Sequence, residues 1–211
     1  MGKLDFIYAR HSVRRFKDEV IPRSDLEEML KAAVLAPSGK NEQNWHFVVV
    51  EDRKKIKEIS DTIENKVRDL AHRTQSESIH ADMIGMIPYY VANLDTAPVV
   101  ILAFAGPYPS VGPELLAEGT INPEEAVKLS RFAPGVQNVA AAMENLLLAA
   151  AALGYGGCWM TGPMYAADEI QQVVGFNKPG YFLVTMTPLG VPSQPGKNPP
   201  RKPLEEVVTF I

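Results

Sequence analysis

The chain has a single cysteine, Cys158, among 211 residues. One thiol excludes a disulfide within the chain and any cysteine-based metal site. Charge of one sign is also scarce: the formal net charge is −4, with no long run of either sign. A sequence-independent nucleic-acid binder needs a basic surplus, so that class is excluded. Long apolar runs are missing too. The longest, Val139–Leu153, is broken by Glu144 and Asn145 and is too short to span a bilayer. Met1–Asp5 leads straight into mixed sequence and does not read as a signal peptide, and Phe6 stands where a myristoylation signal has Ser or Thr. Together these absences predict a soluble, cytoplasmic protein with no nucleic-acid or membrane partner. The hydrophobic share of 46% is ordinary and supports one well-packed domain over residues 1–211.

Several common sites fail on their spacing. Gly39-Lys40 is not a phosphate loop, because Val34 replaces the earlier glycine and Asn41 follows the lysine. Gly196-Lys197 fails likewise at Val191. Trp159 stands where a dinucleotide fingerprint starting at Gly154 has its third glycine. His11, His46, His72 and His80 show no metal-ligand spacing, so no metal is expected. Cys158, between Gly157 and Trp159, reads as a small buried apolar residue rather than a nucleophile.

What the chain does have is a dense basic stretch, Arg10-His11-Ser12-Val13-Arg14-Arg15-Phe16. If it is extended, Arg10, Ser12 and Arg14 share one side. Two guanidinium forks with a hydroxyl between them suit a phosphate, which Arg meets bidentately. The competing reading is a solvated basic loop.

Along the chain, Ser24-Asp25-Leu26-Glu27 reads as a capping box opening a helix that Pro37 ends near Ala36. Pro37–Trp45 is a polar loop leading into a strand at Phe47–Val50, with Trp45 expected in the core. Arg53–His72 is a surface helix with Ile56, Ile59, Ile63, Val67 and Leu70 on one stripe. A short helix is expected at Ile79–Ile87, ended by Pro88. Val99–Ala105 is a fully apolar strand. Residues 106–134 hold five prolines and read as an irregular excursion, a candidate lid. Gly135–Leu153 is a helix apolar nearly all round, hence buried in a core or between subunits, with Gly154 as its stop. Tyr155–Gly162 reads as a glycine-punctuated strand or turn, Ala166–Val174 as a helix and Tyr181–Thr187 as a strand. The tail, residues 188–211, is proline-rich and extended, with a terminal strand at Val207–Ile211. It either lies over its own domain or embraces a partner.

Four features in order resemble the nitroreductase family of flavin enzymes. They are the Arg10-x-Ser12-x-Arg14 stretch, the loop carrying Pro37, Ser38, Asn41, Gln43 and Trp45, the Leu153-Gly154 helix end with its glycine-rich turn, and the basic tail Pro200-Arg201-Lys202-Pro203. The resemblance implies an α+β fold, with a central mixed or antiparallel sheet flanked by helices. It implies an intertwined homodimer whose C-terminal tail reaches the partner, with FMN at the interface. By position, Arg10 and Arg201 would hold the phosphate, with His11 and Ser12 beside it and Arg14 at the N1/O2 edge. Pro37, Ser38, Gly39 and Asn41 would reach the flavin from the other subunit, and Gln43 of the same loop is also expected at the cofactor. Trp159, Met160, Thr161 and Gly162 would run along the ring. The implied activity is ping-pong hydride transfer from NADH or NADPH, through the flavin, to a small organic acceptor such as a nitroaromatic or quinone. No side chain is then needed as acid or base. The rival activities are dehalogenation or flavin breakdown within the same superfamily, and flavin carriage or redox sensing without turnover. Two departures stand out. Asn44 replaces the loop's usual proline and is expected to loosen that turn. Pro199 replaces a second basic residue, for which Lys197 or Lys202 is the expected substitute.

Overall fold

The structure, a computed structural model, describes residues 2–211. Four strands form one antiparallel sheet in the order β1-β2-β4-β3, with β1 at Trp45–Val50, β2 at Val99–Ala105, β3 at Gly156–Gly157 and β4 at Phe182–Gly190. Strand β2 is central, and all seven of its residues are buried. Its side chains alternate between two cores. Val100, Leu102 and Phe104 pack with helices α3 (Arg53–Arg73), α4 (Glu77–Val91) and α8 (Ala167–Val173). Val99, Ile101, Ala103 and Ala105 pack with α2 (Arg23–Val34) and α7 (Pro134–Ala152). A strand covered on both faces has no polar side to show, which is why this run carries no period-two alternation. The α3 stripe enters the first core through Ile56, Ile59, Ile63 and Val67, all buried.

Prolines misled the sequence reading three times. Pro88 does not end α4, which runs from Glu77 to Val91 with Pro88 exposed inside it. An interior proline costs about 3 kcal/mol, and the packing of α4 along α3 outweighs it. Residues 106–134 are not irregular: they hold α5 (Val111–Ala117) and α6 (Pro123–Ser130). Pro123 and Pro134 each open a helix, where a missing N–H costs nothing. Asn122 and Glu125 close a capping box on α6. Strand β4 runs on through Pro188 to Gly190, and the Pro188 carbonyl still accepts from Cys158 N at 3.4 Å.

The capping box expected at Ser24 does not form. Pro22 occupies the cap with ψ 142°, and Ser24 lies inside α2 with its hydroxyl on Asp25. Asp25 instead accepts from the Tyr155 hydroxyl at 2.6 Å. Leu4, Phe6 and Ile7 flank or belong to a one-turn helix, α1 (Asp5–Ala9). Gly154 stops the α7 segment with φ 86°, as expected. Val207–Ile211 is not a strand here; it is exposed and follows a 3₁₀ turn at Leu204–Glu206. Trp45 is buried, as expected for a core residue.

Candidate functional site: a basic seam beside strand β3

The basic stretch is extended. It lies against the glycine end of the sheet, where Ser12 bridges Gly157 and Val13 N donates to Gly157 O at 2.9 Å. Glycine is required at the neighbouring position: a Cβ on Gly156 would lie 2.7 Å from Val13 Cβ. Val13 and Phe16 point into the core, which turns Arg10, Ser12, Arg14 and Arg15 outward.

The other edge of this stretch is taken by the tail. Phe16 bridges Pro192, Lys17 N donates to Val191 O at 2.9 Å, and Ser193 N donates to Arg15 O at 3.1 Å. Further along, Asn198 Nδ2 donates to Arg10 O at 2.7 Å, while Arg201 Nη2 donates to Asn198 Oδ1 at 3.3 Å. Asn198 therefore ties the Arg10 backbone to the Arg201 side chain. The first half of the tail lies over its own domain, one of the two arrangements expected for it.

The cations in this seam are under-neutralised. Arg10 meets one carboxylate, Glu144, at 3.9 Å, and among the described residues Arg14, Arg15 and Arg201 make no ion pair. His11 Nδ1 lies 3.0 Å from Ala9 O, which leaves Nε2 as the acceptor if Nδ1 carries the proton. That Nε2 is buried without a partner. It faces Gly196, where a Cβ would come within 2.5 Å of it. Beneath lies a cavity of about 160 Å³ lined by Arg10, His11, Val13, Gly156, Gly157 and Pro192, among others.

The glycine-rich turn continues past β3. Cys158 is buried, and burial pushes its thiol pKa up against the lowering pull of Arg14, so it is no thiolate nucleophile. Trp159 packs toward the α2/α7 core, and Met160 into the opposite core, where it bridges Met186. Thr161 is exposed, and Gly162 opens a 3₁₀ turn to Ala166.

The 37–44 loop sits elsewhere, at the N-terminal end of α7. Gly39 N donates to Asn138 Oδ1 at 3.0 Å, and Gln43 N to Ser38 Oγ at 2.8 Å. Gln43 Nε2 donates to Asn41 Oδ1 at 3.1 Å. Lys40, Asn41 and Gln43 all have positive φ. Pro37, Gly39, Asn41 and Gln43 are exposed, and Ser38 half so. Asn44 does not loosen this turn. Its buried amide donates to Gly106 O at 3.0 Å and Gly135 O at 3.3 Å, and its oxygen accepts from Asn138 Nδ2 at 2.8 Å. The chain thus brings Arg10, His11, Ser12 and Arg201 together beside the glycine turn, with Arg14 next to Cys158. It holds the Pro37–Gln43 loop apart from them.

An α+β sheet whose end carries an under-neutralised basic seam, lined by glycine, offers the cations and the close backbone approach that an anion requires. The chain belongs to the nitroreductase family: residues 7–191 match the model of that family. It is 34% identical to a protein of Archaeoglobus fulgidus, provisionally named an NADH dehydrogenase/NAD(P)H nitroreductase, over 74% of this chain and 66% of that one. It is 30% identical to the iodotyrosine deiodinase of Thermotoga neapolitana, over 97% of this chain and 94% of that protein. Among solved structures it is similar to a BluB-like flavoprotein from Clostridium difficile, with 42% identity and a TM-score of 0.88 over 100% of this chain and 99% of that one. Among the described residues no helix is long and apolar enough to cross a membrane, and no cluster of metal-ligating side chains occurs.

Proposed function

We propose that the protein is a homodimeric FMN-dependent oxidoreductase that accepts hydride from NADH or NADPH and delivers it to a small organic acceptor, by a ping-pong sequence. One observation carries the reading: Asn198 joins Arg10 and Arg201 beside the Gly156–Gly157 turn, with a buried, unpartnered His11 Nε2 in the same seam. A phosphate monoester near −2 needs more than one cation and several donors, and this seam offers Arg10, Arg201 and Ser12, while His11, whose Nδ1 serves Ala9 O, adds a donor at Nε2 only as the imidazolium. Arg10 and Arg201 would hold the phosphate, with Ser12 and His11 at its side. Arg14 would stabilise negative charge on the pyrimidine edge. Trp159–Gly162 would run along the ring. Bound FMN would supply the hydride-carrying chemistry.

The remaining residues would come from a second copy. Pro37, Ser38, Gly39, Asn41 and Gln43 are held away from the seam in their own chain. Apolar surface is left for a partner at Leu35, 81% exposed, and Phe210, 90% exposed. A groove lined by Phe6, Ala32, Leu35, Leu148, Ala149 and Ala152 runs along the half-covered side of α7. The tail beyond Arg201 is free to cross into it.

A second reading, reductive dehalogenation or flavin breakdown, is favoured by one finding. The match to the deiodinase runs nearly end to end, which supports the dehalogenation half of that reading.

The purified protein should be yellow and release FMN on denaturation; colourless protein that does not take up FMN sinks the proposal. Arg10→Ala and Arg201→Ala should each weaken FMN binding by about 1.5–3 kcal/mol, while riboflavin affinity stays level. Both variants keeping wild-type FMN affinity would show the phosphate to lie elsewhere. Refolding a mixture of an Arg10/Arg14 variant with a Ser38/Asn41 variant should restore one intact site per heterodimer. Confirmed heterodimers without recovery would rule out a shared site. Steady-state oxidation of NADH and NADPH against a quinone, a nitroaromatic and 3-iodotyrosine separates the two readings, and no turnover with any of them would leave a flavin carrier or sensor.

A further inference from the structure

Gly162 is crowded by a phenol. A Cβ built on it would lie 2.6 Å from Tyr90 Cζ, so no side chain fits there unless Tyr90 moves. Tyr90 lies near the end of α4, half-buried, with its ring edge on the Gly162 backbone. Its hydroxyl donates to Met86 Sδ at 3.2 Å. A thioether is a weak acceptor, so this proton goes over readily to an oxygen placed in its reach. A second phenol, Tyr165, sits on the turn that Gly162 opens. Burial, and then the repulsion of Tyr165, hold the Tyr90 phenol above its ordinary pKa, which keeps it a donor through neutral and mildly basic solution. Tyr165 itself is 49% exposed and less able to withhold its hydroxyl from water.

None of these groups is needed for the fold's polar bookkeeping or for the phosphate seam. They converge on the Thr161–Gly162 backbone, which the proposed function places along the flavin ring. We infer that Tyr90 is a specificity-determining residue of the acceptor site, whose hydroxyl leaves Met86 and donates to the oxygen of a flat aromatic acceptor such as a quinone. The inference rests on the flavin reading above. Its physical content is selectivity: a donor that the bound acceptor itself covers penalises an isosteric compound that lacks the oxygen, because the donor is then left with its poor sulfur partner.

The test is a cycle on the FMN-loaded protein, read by the flavin absorbance. Acetophenone presents a carbonyl oxygen; α-methylstyrene has the same outline with a CH₂ group in its place. Wild type and Tyr90→Phe are each titrated with both compounds. Phenylalanine keeps the ring against Gly162 and removes the hydroxyl alone. The preference for acetophenone over α-methylstyrene should fall about tenfold in Tyr90→Phe, the worth of one neutral hydrogen bond, with the FMN dissociation constant unchanged. A fall of less than about threefold overturns the assignment, as does a wild-type spectrum that responds to neither compound. A parallel loss of FMN affinity also overturns it, since Tyr90 would then be a flavin ligand. Failure of wild type to bind FMN is a separate outcome, which refutes the flavin reading itself.

Discussion

Asn44→Ala tests how the 37–44 loop is held. Asn44 is 4% exposed. Its side chain joins the loop to the end of β2 through Gly106 and to the start of α7 through Gly135, and Asn138 passes the contact on to Gly39. Alanine leaves the Asn138 Nδ2 donor without its acceptor and removes a donor from the Gly106 carbonyl. The Gly135 carbonyl suffers least, because a carbonyl at a helix start keeps its helical partner. Two buried groups left unpaired cost about 2–4 kcal/mol together. In a chain of this size each kcal/mol moves the melting temperature by about 2–4 °C. The expected drop is therefore roughly 4–16 °C, measured by calorimetry at matched FMN concentration, since bound ligand shifts the midpoint. Asn44→Pro, which restores the family's usual residue, should be no better. It lacks the amide, and it would follow Gln43, whose φ of 45° is not the extended conformation that precedes proline well. If either variant melts within about 2 °C of wild type, the amide is not what holds the loop and the reasoning fails.

Other outcomes follow from the same contacts. The Asp25 carboxylate accepts from the Tyr155 hydroxyl, and this bond, with burial adding to it, pushes the Tyr155 phenol pKa up to about 12. A folded-state pKa above the unfolded value near 10 gives stability that is full below pH 10 and lost as pH rises toward 12. Chemical denaturation should therefore show a loss over that window that is smaller in Tyr155→Phe; equal slopes would refute the linkage. Asn198→Ala should release Arg201 and the tail from Arg10 and weaken FMN by about 1–2 kcal/mol, less than Arg201→Ala itself, with riboflavin unaffected. An effect on riboflavin of the same size would mean that Asn198 supports the fold rather than the phosphate.

The sequence reading was most successful where one force dominates. The Val99–Ala105 strand, the α3 stripe and the α7 helix are set by apolar burial, and their patterns are long enough to read. It erred where a residue's rule depends on its neighbours. The isolated proline rule predicts a stop at 88, irregular chain across 106–134 and a stop at 188. In the fold proline opens α6 and α7, and α4 and β4 continue through it. Ser24 carries the spacing of a capping box, but the extended Pro22 had already taken the cap. Asn44 looked like a loss because its motif has a proline there; only the fold reveals the two carbonyls and the amide waiting for it. In the seam, Arg10, Ser12 and Arg14 were legible because alternation puts them on one side. Asn198 carried no signal. It is an asparagine in a proline-rich tail, and its partner is 188 residues away in sequence.

The placement of α7 explains why the basic seam and the 37–44 loop, the two pieces of the proposed flavin site, lie apart in one chain. The helix holds 19 residues, about 28 Å at 1.5 Å per residue. The loop touches it at Asn138, through Gly39, and the basic seam touches it at Glu144, through Arg10. Six residues separate those contacts, about 9 Å along the axis and about 120° around it. A single planar ligand docked on the seam therefore lies on a different side of α7 from the loop of the same chain. The side of α7 between them is the half-covered one, with Leu148 and Ala149 in the apolar groove. In the proposed homodimer, a second copy packed there would bring its own loop toward the first copy's seam. Under that proposal, burial of the groove and completion of the site would be the same event, and flavin affinity should rise with dimerisation.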